Sequence, residues 1–351
     1  MPVLSGSQKS ISQPLAEKKL GRTSVNLTQL GFGGAPIGQL FEKVSEENAL
    51  ATLQAAWNRG IRYFDTAPWY GVGLSEHRLG SFLYQKDRKD FILSTKVGRV
   101  LKAPRQKIGF RPPFWLGGLP FEHLFDYSYD GIMRSFEDSL QRLRMNSVDL
   151  LVIHDLDHEY HLTEERVNFH LKQLSNSGWK ALDSLRSSGE ILGVGAGIND
   201  RQMIQPLLKR LDLDFLVLAR DYTLLEQGTL KADLPICEQR NIGIVLGAVF
   251  CSGILVTGAV KGAKHQYADA SPEILEKVIQ IEEICRNHGV PMAAAALQFP
   301  LSHPCVTSVI PGMLHPQQVE QNLEYFHQAI PSSLWSDLKD QDLISKDAFT
   351  P

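Results

Sequence analysis

Four side chains carry the residue types needed to move a proton: Asp65, Tyr70, Lys96 and His154. A phenol of unperturbed pKa near 10 exchanges protons poorly at neutral pH, so it needs a neighbour that favours its ionised form. An ammonium does this, and a carboxylate holds the ammonium in place. Lys96 follows an apolar run, where an unpaired charge is expensive, and Asp65 is its expected partner. An imidazole such as His154 can then orient an oxygen by hydrogen bonding. Singly, each residue has a plain structural account: a helix-capping Asp, a packing Tyr, a paired Lys, a satisfied core His.

The elements that deliver them argue for more. Tyr63-Phe-Asp65 reads as the end of a strand, entered from a helix pattern that stops at Gly60. Pro68, Gly71 and Gly73 keep the next stretch irregular, so Tyr70 lies in a loop before a helix beginning near Ser75-Glu76. Asp90-Phe-Ile-Leu-Ser-Thr-Lys96 is a second strand, and Val148-Asp-Leu-Leu-Val-Ile-His154 a third. All four groups therefore come to the C-terminal ends of parallel strands, which is where α/β folds do chemistry.

These motifs resemble the aldo-keto reductases: Phe64-Asp-Thr-Ala-x-x-Tyr-Gly71 with Ser75-Glu76, then Ser94-Thr-Lys-Val-Gly98, then Asp149-x-x-x-x-His154, in order and similarly spaced. The resemblance runs from about Leu20 to about Phe326. It implies an α/β fold, a (β/α)8 TIM barrel with an N-terminal β-hairpin, here Lys19 to Leu27, and long active-face loops. It also implies a catalytic tetrad of Asp65, Tyr70, Lys96 and His154, and a nicotinamide cofactor. The expected organisation is a flexible N-terminal tail over 1–16, one barrel domain over 17–340 and a C-terminal tail over 341–351. At 351 residues the chain exceeds the roughly 250 that such a barrel needs.

The cofactor segments follow by resemblance. Gly34 closes Leu30-Gly-Phe-Gly-Gly34, a glycine string without dinucleotide-binding spacing, better suited to close approach of backbone and ligand at the barrel mouth. Asn199 matches the asparagine that holds the carboxamide, although a Gly/Ala/Ile run replaces the usual serine-asparagine pair. Ala219 stands where a glutamine is common, and Gly247 near the place of a stacking tyrosine. Ser252, Gly253 and Leu255 form the loop expected to embrace the pyrophosphate, small residues with free N–H groups; a plain glycine turn is the alternative. Family members that use NADP carry a lysine and an arginine where this chain has Gly312 and Gln318. A 2′-phosphate is normally met by cations, so NAD is the expected cofactor, NADP the alternative. Gln318 and Asn322, one turn apart, suit the adenosine end.

The stretch from Val100 to Tyr127 interleaves Pro104, Pro112, Pro113 and Pro120 with Phe110, Phe114, Trp115, Phe121 and Phe125. A loop this long in a compact domain is a lid or binding loop, or packs on its own aromatics. Trp69, Trp115 and Tyr222 are the candidate substrate contacts. Asp155-Leu-Asp-His-Glu-Tyr-His161 is rich enough in ligands for a rival class, a metal-dependent barrel hydrolase. That reading leaves Tyr70 and Lys96 without duties, so no metal is expected.

A net charge of −3, from 36 basic and 39 acidic residues, gives no bias toward nucleic acid or an anionic membrane. No apolar run approaches the ~20 residues of a span. Cys237, Cys251, Cys285 and Cys305 fall in no paired spacing, as expected of a cytoplasmic protein. His154-Asp-Leu-Asp157, Phe125-Asp-Tyr-Ser128 and Gly193-Val-Gly-Ala-Gly-Ile-Asn199 resemble aldose 1-dehydrogenases acting on L-fucose, L-galactose or D-arabinose, and equally pyridoxal 4-dehydrogenase. The expected reaction is NAD-dependent oxidation of a hemiacetal hydroxyl to a lactone, on a sugar first and pyridoxal second. An NADPH-dependent carbonyl reductase and an idle nucleotide-sensing barrel complete the alternatives. Oligomeric state is not legible.

Overall fold

Eight short strands with apolar sequences are buried on both faces, as a parallel sheet with helices outside requires. They are β1 (Phe32–Gly33), β2 (Tyr63–Asp65), β3 (Ile92–Val97), β4 (Leu150–Ile153), β5 (Gly193–Ile198), β6 (Phe215–Ala219), β7 (Gly243–Gly247) and β8 (Val306–Ile310). In this computed structural model, which describes residues 15–105, 110–112 and 115–351, each strand pairs in parallel with the next. Bridges Leu30↔Val309 and Gly33↔Gly312 join the first strand to the last, so the expected barrel is closed.

The hairpin of Glu17–Lys19 and Asn26–Thr28 plugs the bottom. Leu20, Val25 and Leu27 pack there on Tyr63, Leu150, Phe215 and Val245, a cluster separate from the larger one between strands and helices.

The outer helices start where side chains can cap them. Ser45 accepts from the Asn48 N–H at the head of α1 (Glu46–Asn58), and Ser128 from the Gly131 N–H at the head of α3 (Tyr129–Leu143). Between them, α2 (Leu74–Leu83) is tied inward through Glu76, whose oxygens accept from Thr95 Oγ1 at 2.7 Å and Arg142 Nε at 2.5 Å. After β4, α4 (Glu164–Gln173) passes through a π-helical turn, Leu174–Gly178, into α5 (Trp179–Ser187). The last barrel helix is α6 (Pro316–His327).

Both expected tails need correction where they are described. Leu15 is buried and the Ala16 carbonyl accepts from the Gln29 N–H, so packing begins before residue 17; residues 1–14 lie outside the described residues. At the other end Leu343, Ile344 and Ala348 are buried in the main core, because the apolar side chains of this segment cover the barrel flank. Among the described residues, no helix is long and apolar enough to cross a membrane.

Candidate active site

Asp65 ends β2 and Lys96 lies on β3, one strand away. Lys96 Nζ donates to Asp65 Oδ2 at 2.6 Å and to the Thr66 carbonyl at 2.9 Å, and both side chains are buried. Asp65 Oδ1 accepts from Ser94 Oγ at 2.7 Å, so both carboxylate oxygens are engaged. An ammonium has three donors, of which these use two, and the Tyr70 ring centre lies 4.7 Å from Nζ.

Tyr70 is carried by a knot of tight turns, with its own N–H bonded to the Ala67 carbonyl and its carbonyl to the Ser75 N–H. Ser75 Oγ donates to the Gly34 carbonyl at 2.8 Å, pinning this loop to the end of β1. His154 leaves the end of β4 with its ring 5.9 Å from that of Tyr70, edge to face. The four tetrad candidates therefore meet, and Asp65, Tyr70 and His154 line one cavity of about 130 Å³ at the barrel mouth.

The electrostatics differ from the expectation that Lys96 alone favours phenolate. Burial, then the charges of Asp65 and Asp155, hold the Tyr70 hydroxyl well above the ordinary phenol range. Asp65 offsets the charge of the ammonium it anchors, so in the protein by itself Tyr70 is a phenol. Burial pushes His154 down to about 3, with Arg99 and Lys96 adding to the effect against Asp155, so the imidazole is neutral. Its Nε2 lies 3.3 Å from Asp155, and its buried Nδ1 has no hydrogen-bond partner.

Behind His154 is a network that sequence reasoning missed. Asp155 accepts from Arg99 Nη2 through Oδ2 and from Asn199 Nδ2 through Oδ1 at 2.9 Å. Burial alone would raise its pKa; His154, Arg99 and Asn199 bring the carboxyl below its usual range. Asn199 Nδ2 also donates to Asp157 Oδ2 at 3.0 Å, leaving its carbonyl oxygen for a ligand. Burial followed by Asp155 pushes Asp157 up to about 6.

The long loop is rooted by an antiparallel pair, Arg99–Lys102 with Glu122–Phe125. It hangs Trp115 into the cavity, 5.8 Å from Trp69 and 6.1 Å from Tyr70. Trp69 and Trp115 both line the cavity. Phe114, another aromatic of this loop, lies outside the described residues.

Tyr222 does not reach this cavity. It is fully buried, stacked on Phe299 at 5.5 Å and edge-on to His303, because the chain turns into the helix-side core after β6. The aromatic that does line the cavity from that side is Tyr267, in a two-residue-stranded hairpin of Lys264–His265 and Ala268–Asp269. No sequence signal marks so small an element. Tyr267 also meets Phe41 at 5.6 Å and carries the Arg220 guanidinium 5.0 Å from its ring centre.

Tyr267, Leu40 and Ala248 are shared with a second, larger groove of about 410 Å³. The two form a continuous slot whose inner end is Tyr70, a shape suited to a dinucleotide with its reactive ring innermost. Gly34 and Asn199 line the inner cavity; Ser252, Gly253, Gly312, Gln318 and Asn322 line the outer groove. Leu255 lines neither: its side chain is fully buried. The N–H groups of Gly253, Ile254 and Leu255 already donate to the carbonyls of Phe250, Cys251 and Phe250, so the expected row of free donors is replaced by a tight turn. Gln318 Oε1 accepts from the Leu314 N–H at 2.6 Å, capping α6 and leaving its amide nitrogen for the groove.

The three histidines of the metal alternative do not converge. His158 is held by Asp200 at 2.8 Å and Glu164 at 2.7 Å, while His161 packs on Tyr127 and His170. Among the described residues, no group of three or more metal-ligating side chains could hold an ion.

Comparison with known proteins agrees with this geometry. The chain is 43% identical over 338 residues to pyridoxal 4-dehydrogenase of Microbacterium luteolum, covering 94% of this chain and 98% of that protein. It is 38% identical over 326 residues to D-threo-aldose 1-dehydrogenase of a Pseudomonas species, covering 90% and 94%. An aldo-keto reductase of Bacillus halodurans in its holo form shares the fold, with a TM-score of 0.72 at 22% identity over 95% of this chain and 98% of that one. The family model described as the aldo/keto reductase family matches residues 29–342. The chain belongs to the aldo/keto reductase family and is an NAD(P)-dependent oxidoreductase.

Proposed function

We propose that the protein oxidises the hemiacetal hydroxyl of a cyclic substrate to a lactone, with NAD as acceptor. The substrate is an aldose such as L-fucose, L-galactose or D-arabinose. Pyridoxal in its hemiacetal form is the second reading, favoured by the higher identity to a pyridoxal 4-dehydrogenase. The single observation that carries the proposal is the convergence of Asp65, Lys96, Tyr70 and His154 on a small aromatic-walled cavity at the inner end of a dinucleotide-sized slot.

When bound, an oxidised nicotinamide supplies a hydride acceptor and a positively charged ring. The chain's residues do the rest. Trp69 and Trp115 bury the flat apolar face of the substrate and exclude water. His154, neutral, offers a hydrogen bond to the substrate oxygen without a charge. Tyr70 acts as the base once its phenol proton has left for solvent: the phenolate takes the hydroxyl proton, and the ammonium of Lys96 stabilises that phenolate oxygen. Asp65 keeps that ammonium within reach.

NAD is favoured over NADP because, among the described residues, Arg220 is the only lysine or arginine lining the outer groove, and it is committed to Glu159 at 2.7 and 2.9 Å. The direct test is the near-ultraviolet absorbance of NADH formed from NAD with L-fucose or pyridoxal. Tyr70→Phe should reduce the rate at least a hundredfold, in the range expected for loss of a positioned acid-base group, roughly 10²–10⁴. Full turnover by this variant would refute the assignment.

A further inference from the structure

We propose that Asp155 selects the substrate by accepting a hydrogen bond from the hydroxyl on the carbon beside the reacting one. This rests on the hemiacetal reading above. Asp155 and Asp65 are the carboxylates lining the inner cavity, and Asp65 is turned to Lys96 and Ser94. Asp155, itself buried, is the lining carboxylate that is not turned to the ammonium.

Its orientation is built from behind. Arg99 does not line the cavity; its guanidinium is fully buried among the rings of Trp69, Phe125 and Tyr160, at 4.5, 4.4 and 4.4 Å, and Nη1 contacts His123 Nε2 at 2.9 Å. The ion pair therefore shows its acceptor to the ligand and hides its donor. Turned the other way it would make an anion site; as built, it suits a neutral molecule with hydroxyl donors. A carboxylate accepts in about four directions. Arg99 and Asn199 account for two of these, leaving the others open to a ligand.

The spacing fits a vicinal pair. Oδ2 lies 3.3 Å from His154 Nε2, so when the reacting oxygen is held by Tyr70 and His154, the next hydroxyl along the ring comes to the carboxylate. Asp155 also has a left-handed backbone, φ 54°, which ends the strand and is held by the same partners.

A cross of two enzymes and two substrates separates selection from support of the fold. kcat/KM is measured with NAD for L-fucose and 2-deoxy-L-fucose, on the full-length protein and on Asp155→Asn. The wild type should prefer the parent sugar by about 10–100-fold, the size of a hydrogen bond to a charged acceptor. Asp155→Asn should lose a similar factor on the parent sugar and little on the deoxy sugar, so the ratio falls toward one. An equal loss on both sugars overturns the assignment and makes Asp155 a support for His154. A wild type that treats both sugars alike overturns it without any variant. Failure of the wild type to oxidise any aldose or pyridoxal overturns the hemiacetal reading and this assignment together.

Discussion

Tyr70 sits between an ammonium that would lower its pKa and a burial penalty, reinforced by Asp65 and Asp155, that raises it; the second wins. The sign has a consequence for rate. Oxidation needs the phenolate, and below a raised pKa its population grows tenfold with each pH unit. The kcat/KM for oxidation should therefore climb, by up to about tenfold per unit, from pH 6 past pH 9 without a plateau. Reduction, which uses the phenol, should stay flat over the same range. Parallel pH profiles in both directions check this. At this scale the tetrad was legible because Asp65, Lys96 and His154 lie at the ends of apolar strands and Tyr70 in the loop that leaves the first of them. Asp155 was not, since beside His154, Asp157 and His158 it looked like one more metal ligand. Only the distant Arg99 and Asn199 give it another meaning, and spacing along the chain does not reveal that they arrive there.

The elements that hold these residues are fastened by a few close contacts. In the π-helical turn between α4 and α5, Gly178 faces the backbone of Tyr127. A Cβ there would lie 2.1 Å from the Tyr127 carbonyl oxygen. Tyr127 in turn donates its hydroxyl to the His154 carbonyl at 2.7 Å. Helix propensity alone favours Gly178→Ala by about 1 kcal/mol. The contact reverses that: the variant should be destabilised by about 1–3 kcal/mol, measured by urea denaturation. The sequence shows a glycine at position 178 but not the reason for it, since Tyr127 lies 51 positions away along the chain. The loop Ser252 to Leu255 shows the opposite case. Its small residues suggested open donors, yet a local turn uses those N–H groups before any ligand can. Likewise Tyr222, which follows a strand end as Tyr70 does, turns into the core, while Tyr267 reaches the site from a hairpin too short for periodicity to mark.

Across the whole molecule, the strands ending near Asp65, Lys96 and His154 were readable from their apolar runs, and the eightfold barrel was what the family resemblance implied. The slot that crosses the barrel mouth was not readable, since it is assembled from segments near residues 40, 250, 267 and 318. Its chemistry governs cofactor choice. Position 312 is closed to a cation because a Cβ there would lie 2.5 Å from Pro36 Cγ. Position 318 lines the groove and is open to one. With NAD and NADP compared at equal concentration, NAD should be preferred by at least tenfold, a difference of about 1.4 kcal/mol. Gln318→Arg should improve kcat/KM for NADP by a similar factor.

The seam between first and last strands bears on how the protein is made. Lys18 Nζ reaches the Val306 carbonyl and Ser308 Oγ reaches that of Thr28, contacts spanning 288 and 280 positions. A nascent chain has no floor to its reaction chamber until strand eight has left the ribosome. Such distant pairings are the slowest to form. A product halted before Val306 would leave seven strands with two raw edges, a target for proteolysis or self-association rather than a weaker enzyme.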